Sequence, residues 1–152
     1  MLQKIETTGW YKHIRLRKGM YIGRIGDGSD PRDGGYTLFK EILNNAIDEF
    51  RRGFGSQIEV NIDSDTFSVR DYGRGIEPER VTMVLTDSYY EAYTLDPKSD
   101  GIPLTIGVKE FGLRFNIALS SYFLVQSRKQ GKLEWFEKKP EEIFESGCDV
   151  SN

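Results

Sequence analysis

The spacing of apolar residues along this chain shifts between two periods, and each period predicts a different element. From position 37 to position 52 apolar residues recur every three to four positions, which predicts an amphipathic helix that begins at Thr37 and ends before Gly53 and Gly55. We expect one stripe of this helix to be buried and the opposite face to meet a ligand. The buried stripe is predicted to contain Leu38, Ile42, Ala46 and Phe50, with Leu43 and Ile47 beside it.

From position 58 onward the period changes to two. Apolar residues at 58, 60 and 62 alternate with polar ones, and Phe67 and Val69 repeat the pattern after the turn-forming residues 63–66. This pattern predicts a β-hairpin. Asp71 continues the face of Phe67 and Val69, so we expect its carboxylate to be buried and to need a hydrogen-bond donor.

The other segments carry weaker patterns. We expect an N-terminal arm with a short helix over residues 1–16, a glycine-rich loop over 23–35 and a short helix over 79–86. Residues 87–106 are polar, contain proline and glycine and have no clear period, which makes them a candidate lid. A helix is predicted over 113–121, followed by strands at 122–125 and 132–136 around Gly131; the acidic tail 140–152 stays unassigned.

Composition limits the choice of class. The 152 residues suit one domain, and the net charge of −3 with 30% charged residues does not favour direct binding to DNA. The single cysteine, Cys148, cannot form an internal disulfide, and no apolar run reaches the roughly 20 residues that span a bilayer. The N-terminus lacks the features of a signal or transit peptide. We therefore expect a cytoplasmic protein with no membrane partner.

Candidate chemistry lies on the predicted helix and after the hairpin. Glu41, Asn45 and Asp48 fall in a narrow arc of one helix face. In an ATP site, Asn45 can offer its amide oxygen to Mg²⁺, and Glu41 can accept a proton from the attacking water as general base. Asp71 can accept a hydrogen bond from the adenine amino group. These residue types predict a site for ATP and Mg²⁺.

Two glycine-containing stretches complete the predicted site. Gly73 and Gly75 allow the backbone to approach a base closely, and Ile76 can pack against its ring. Gly107 and Gly112 can let a loop fold over phosphates at the start of the following helix. Each motif alone is weak, because polar helix faces are usually solvated surface and glycine pairs usually form turns or loops. Their order and spacing strengthen the prediction.

In combination, the motifs resemble those of the GHKL ATPases, which share the Bergerat nucleotide-binding fold. The similarity is closest to the ATPase domain of type IIA topoisomerase B subunits. Residues 17–23 resemble their RPGMYIG stretch, 45–49 their NxIDE motif and 70–76 their DxGRGI motif. Residues 118–127 resemble the helix end and strand after their phosphate loop.

The resemblance implies an α+β two-layer sandwich with a mixed, largely antiparallel sheet and helices on one face. It implies one ATP-binding domain over 1–152, without the transducer, TOPRIM or DNA-cleavage domains of the full subunits. The domain would contact DNA only indirectly, through a larger topoisomerase assembly. The N-terminal arm, which family members exchange between protomers, implies a homodimer.

The resemblance also implies further residue roles. Asp48 would support the water network beside the general base Glu41, and Arg74 would lie over the adenine while pairing with Glu49. Lys129 stands where the family has an arginine at the mouth of the adenine pocket.

The phosphate loop departs from the family pattern. Glu110 replaces a glycine, which adds a side chain and a negative charge near the expected triphosphate; Lys109 could offset part of that charge. We therefore expect ATP binding with weak or absent hydrolysis. The alternative is a degenerate, non-catalytic interaction module that binds a partner protein without ATP. A histidine kinase is not favoured, because the only histidine, His13, has no adjacent acid to act as a base.

Overall fold

A computed structural model describes residues 3–4, 9–76 and 109–150 of the chain. These residues form helices and strands that we number in chain order. The helices are α1 (Gly9–Leu16), α2 (Lys18–Ile22), α3 (Gly34–Arg51) and α4 (Lys109–Leu119). The strands are β1 (Gln3–Lys4), β2 (Ile58–Ile62), β3 (Phe67–Asp71), β4 (Phe123–Lys129), β5 (Lys132–Lys139) and β6 (Ile143–Val150).

Four of the strands form one antiparallel sheet in the order β1-β6-β5-β4. The strands predicted around Gly131 are confirmed and are longer than predicted. They are joined by Gln130 and Gly131, both at positive φ (51° and 75°), as a type I′ hairpin turn requires. In the unassigned tail, β6 pairs along β5 from Lys139↔Ile143 to Lys132↔Val150. The described part of the N-terminal arm, β1, adds to the free edge of β6.

The predicted hairpin is also confirmed, with β2 and β3 paired in register from Ile58↔Asp71 to Ile62↔Phe67. It forms a separate two-stranded sheet. Among the described residues, all paired strands are antiparallel and lie in two sheets, in agreement with the predicted largely antiparallel arrangement. The class, helices combined with largely antiparallel strands, is as predicted.

The main core lies between two helices and the four-stranded sheet. Phe136 of β5 and Phe144 of β6 contact each other and face α1 and α4. Burial of such a side chain stabilises the fold by about 1.5–3 kcal/mol. The buried cluster is completed by Tyr11, Ile14, Ile117 and Ala118.

Two cations hold the C-terminal end of α4 on this core. The Lys138 ammonium, buried beneath the helix, donates to the carbonyls of Ile117 (2.8 Å) and Ser120 (2.5 Å), and the Arg15 guanidinium donates to that of Ala118 (2.8 Å). These carbonyls belong to the helix end that lacks intrahelical partners. With its C-terminus fixed in this way, α4 directs its first turns towards α3.

Helix α3 begins three residues before the predicted Thr37, and glycine explains the difference. A Cβ at Gly34 would lie 2.4 Å from Cδ1 of Ile22, so glycine lets the Ile22 side chain of α2 pack directly on the first turn of α3. The predicted end is confirmed, because the helix stops at Arg51 and Gly53 has a positive φ of 84°. From sequence alone, the glycines at 34 and 35 predict a loop. The contact with Ile22 that favours glycine in this helix joins separate elements, so no local pattern reveals it.

Two predicted segments, the helix over 79–86 and the candidate lid over 87–106, lie outside the described residues. In the part that is described, none of the helices has both the length and the apolar character needed to cross a bilayer.

Candidate functional site

A wide cleft of about 2700 Å³ lies between α3, the β2–β3 hairpin, residues 72–76 and β4. Small-molecule sites usually occupy about 300–1,000 Å³, so the cleft has room for a nucleotide. Eight of the predicted site residues border it: Asn45, Glu49, Asp71, Gly73, Arg74, Gly75, Ile76 and Lys129. Glu41, Asp48 and Gly112 do not border it. Gly107 lies outside the described residues, and only the backbone of Lys109 is described.

Helix α3 forms one wall, and its orientation corrects the sequence prediction. Leu38, Ile42 and Ala46 border the cleft beside Asn45, instead of lying on the opposite face. Phe50, predicted to be buried, is 54% exposed, whereas Asp48, predicted to face a ligand, is fully buried. At 100° per residue these apolar residues occupy the arc next to Asn45, so the wall is apolar with an amide at its border.

Asp71 lies at the end of β3 and is exposed, which corrects the prediction that it is buried. Its Oδ1 accepts a hydrogen bond from the backbone N–H of Gly73 at 2.8 Å. An ionised carboxylate has about four acceptor positions, so this contact orients the group and leaves capacity for a ligand. The turn between Asp71 and Gly73 therefore orients the Asp71 carboxylate at the border of the cleft.

Gly75 brings the segment after β3 against β4. It has a positive φ of 71°, and a Cβ there would lie 2.6 Å from the carbonyl oxygen of Arg128. The next residue, Ile76, donates its N–H to Oγ of Ser127 at 2.7 Å and packs against the core. The role of Ser127 was not predicted from the sequence. A signal exists, since Ser127 shares a strand face with Phe123 and Val125 and is a polar residue on an inward face.

Arg74 is held by Glu49 as predicted. The guanidinium donates from Nη2 to Oε1 at 3.0 Å and from Nε to Oε2 at 3.2 Å. Its Cζ also lies 4.0 Å from the ring centroid of Phe54, a contact that the sequence analysis did not predict. Hydrogen bonds and a ring contact therefore both determine the position of this guanidinium.

Glu41 sits where α3 crosses α4. A Cβ on Gly112 would lie 2.7 Å from its Oε2 and 2.8 Å from its Cβ. Burial raises the pKa of the Glu41 carboxyl above its ordinary value, and the nearby charge of Lys40 partly opposes the shift. Gly112 belongs to helix α4, not to a loop over phosphates as predicted, and its missing side chain makes room for Glu41.

Asn116 ties the same two helices together. Its side-chain amide is 1% exposed and donates to the carbonyls of Leu38 in α3 (3.0 Å) and Gly112 in α4 (2.9 Å). The bond to α3 lies one turn before Glu41. An amide within an apolar helical segment was the signal that could have revealed this role.

The crossing gives a testable expectation for Gly112→Ala. The added methyl group meets Cβ of Glu41, which cannot move without its helix. Such overpacking costs about 1–3 kcal/mol and should outweigh the gain of up to about 1 kcal/mol in helix propensity. We expect a lower free energy of unfolding, measured by denaturant titration. Gly35→Ala in α3 is the matched control, because its Cβ would meet nothing within 4 Å. If both variants were equally stable, the close contact between Gly112 and Glu41 would be contradicted.

Comparison with known proteins identifies the class. Residues 32–141 match the family described as histidine kinase-, DNA gyrase B- and HSP90-like ATPases. The match covers the cleft and most of the described fold. The chain belongs to this family, which confirms the recognition made from its motifs.

Within this class, the chain is similar to topoisomerase B subunits. It is 44% identical over 133 residues to the B subunit of DNA topoisomerase 4 from Borreliella burgdorferi, covering 85% of this chain and 21% of that protein. It is 35% identical over 138 residues to the B subunit of chloroplastic/mitochondrial DNA gyrase from Nicotiana benthamiana (86% and 18%). The B subunit of type 2 topoisomerase from Aquifex aeolicus is 32% identical over 158 residues (94% and 18%). The chain thus spans about a fifth of the length of these relatives.

Proposed function

We propose that this chain binds ATP in the cleft, as the nucleotide-binding domain of a topoisomerase B subunit. The observation that carries the proposal is the position of Asn45 and Asp71. They come from separate elements, α3 and the end of β3, and border the same cleft. A metal ligand and a base-reading carboxylate are thereby available in one cavity.

The donor set fits ATP with Mg²⁺. Mg²⁺ prefers oxygen ligands and usually keeps several waters, so one protein amide oxygen, that of Asn45, can suffice beside the phosphates. The apolar wall next to Asn45 suits the ribose and base, and Gly73, Gly75 and Ile76, which also border the cleft, are proposed to contact the base. When bound, Mg²⁺ would offset phosphate charge. Asp71 would accept a hydrogen bond from the adenine amino group, and Lys129 would lie at the mouth.

For hydrolysis, Glu41 is the proposed general base; because it does not border the cleft, this role requires its carboxylate to reach the attacking water from the crossing of α3 and α4. A carboxylate with a raised pKa is a better proton acceptor than an ordinary one at neutral pH, provided that it stays ionised. The proposed role of Asp48, which is buried, is to support the water network beside Glu41. We propose that the phosphates lie near Gly107, Lys109 and the backbone of α4. Gly112 is proposed to contribute indirectly, because its missing side chain makes room for Glu41 where α3 and α4 cross.

We propose that hydrolysis is weak or absent in the isolated chain. Glu110 stands where the family has a glycine, in the first turn of α4, and its charge opposes a triphosphate nearby. The same residue favours the alternative, a non-catalytic interaction module that binds a partner protein without ATP.

Calorimetric titration separates the two functions. ATP, ADP and a non-hydrolysable ATP analogue are titrated into the chain with and without Mg²⁺. We expect binding of all three, strengthened by Mg²⁺ for the triphosphates. Absence of binding by every nucleotide at millimolar concentration would leave the interaction module as the function.

Assembly and location are also proposals. We propose that two copies pair through the N-terminal arm, that DNA is met only within a larger topoisomerase assembly, and that the protein is cytoplasmic. Cross-linking with and without nucleotide tests the pairing. A dimer band that depends on ATP is expected, and a monomer under both conditions would contradict the arm-mediated dimer.

A further inference from the structure

Tyr72, the residue after β3, is anchored to the β2–β3 hairpin through its side chain. Its hydroxyl donates a hydrogen bond to Oε1 of Glu59 in β2 at 2.8 Å. Its ring contacts the guanidinium of Arg70 in β3, whose Cζ lies 4.7 Å from the ring centroid, within the range of a cation–π contact. The hydrogen bond to Glu59 raises the pKa of the Tyr72 hydroxyl above its usual value, so the donor keeps its proton at neutral pH. Both strands of the hairpin therefore hold this side chain, although it is 44% exposed.

The backbone of Tyr72 is held from another direction. Its carbonyl lies against Gly55, where a Cβ would come within 2.8 Å of the carbonyl oxygen. Gly55 also has a positive φ of 78°, a conformation that favours glycine. The loop that follows α3 therefore packs closely on the chain at Tyr72, so that side chain and backbone are fixed by different parts of the fold.

These contacts affect Asp71, because Tyr72 is the central residue of the turn that orients it. Oδ1 of Asp71 accepts the N–H of Gly73, which closes an Asx-type turn around Tyr72. Glu59 and Arg70 are direct partners across the hairpin and share one face, whereas Asp71 belongs to the opposite face, since successive side chains of a strand alternate. Anchoring Tyr72 to Glu59 and Arg70 therefore opposes a rotation of the turn that would carry the carboxylate away from its face.

We propose that Tyr72 is a positioning residue for base recognition: its anchored side chain holds the turn that presents the Asp71 carboxylate to the amino group of the adenine. The inference rests on the proposed function, since it requires ATP in the cleft. When only a fraction of the molecules holds the carboxylate in the productive orientation, the apparent affinity falls in proportion to that fraction. The contribution of Tyr72 is to keep this fraction high.

Two nucleotides that differ only in the amino group test this role. Calorimetry compares ATP with the triphosphate of purine riboside, which lacks the adenine amino group, in the unaltered chain and in two variants. Tyr72→Ala removes both side-chain contacts, and we expect it to weaken ATP binding about three- to tenfold while the affinity for the second nucleotide hardly changes. Tyr72→Phe keeps the ring and loses only the hydrogen bond to Glu59, so we expect a smaller loss that is again confined to ATP.

Tyr122→Ala is the matched control. Tyr122 also donates its hydroxyl to a glutamate, to Oε1 of Glu137 at 3.0 Å, and is similarly exposed at 49%. It precedes the first residue of β4, whereas the segment after Asp71 approaches the other end of that strand, where Gly75 packs against Arg128. The control variant should leave both affinities nearly unchanged.

The other outcomes decide against the inference. Equal losses of affinity for both nucleotides after Tyr72→Ala would show that Tyr72 touches the ligand or shapes the cleft in general, and would overturn the positioning role. No loss for either nucleotide would overturn it too, while ATP binding itself stands. Equal affinity of the unaltered chain for the two nucleotides would do the same, because Asp71 would then not recognise the amino group. Failure of the unaltered chain to bind ATP would instead overturn the proposed function and the inference with it.

Discussion

Glu41→Gln should abolish most of whatever weak ATP hydrolysis the chain has, while leaving ATP affinity nearly unchanged. The substitution keeps the shape of the side chain in the space left by Gly112 and removes its ability to accept a proton. A positioned general base contributes about 10²- to 10⁴-fold to rate, so turnover should fall by about that factor. Single-turnover assays with excess protein detect slow hydrolysis and measure the loss.

The pH dependence gives a second readout of the same residue. Burial raises the pKa of Glu41 above its ordinary value of 4.5, so the ionised base is lost on acidification at a higher pH than for an ordinary glutamate. In the folded state this carboxyl holds its proton more tightly than in the unfolded state. The contribution of Glu41 to the free energy of unfolding therefore declines as the pH rises above the ordinary pKa of a glutamate. Gln has no such dependence, so the variant should be at least as stable as the unaltered chain at pH 7.

Glu141→Gln is the control, because Glu141 is exposed in the turn between β5 and β6 and makes the same change of charge. It should keep the original rate. A Glu41→Gln variant that hydrolyses ATP at the original rate would remove Glu41 from the role of base.

Asp71→Asn should weaken ATP binding by about 1–3 kcal/mol, which is roughly 5- to 150-fold in the dissociation constant. The neutral amide can still accept the N–H of Gly73, so the local turn is kept. It accepts more weakly from an adenine amino group than a carboxylate does. Because Asp71 is exposed, the free energy of unfolding should hardly change. Calorimetry for affinity and denaturant titration for stability measure the two effects separately.

Asp65→Asn provides the matched comparison for this variant. Asp65 lies in the turn of the same hairpin and borders the same wide cleft, so the substitution removes one charge at a different point. It should alter affinity little. Equal losses from the two variants would show that general electrostatics, and not a contact with the base, explains the effect of Asp71.

Local periodicity predicted the elements that form the cleft. The 3.6-residue pattern located α3, the two-residue pattern located β2 and β3, and the motif order placed Asn45 and Asp71 on those elements. The ion pair of Arg74 with Glu49 followed from the family resemblance and is present. These features depend on short sequence segments, which is why sequence alone was sufficient.

The features that were not predicted depend on contacts between distant segments. Gly112 has the sequence signature of a loop, but it lies inside α4 and packs against Glu41, which lies 71 positions earlier. Strand parity predicted the face on which Asp71 lies but could not show whether anything covers that face. Likewise, the roles of Ser127 and Asn116 depend on Ile76 and Leu38, which no local pattern connects to them.

A crystal structure with Mg²⁺ and a non-hydrolysable ATP analogue tests the central claim most directly. We predict the adenine amino group within hydrogen-bond distance of the Asp71 carboxylate, the metal coordinated by the Asn45 side-chain oxygen, and both in one cleft. A nucleotide bound elsewhere, or a base and metal that contact neither residue, would contradict the account.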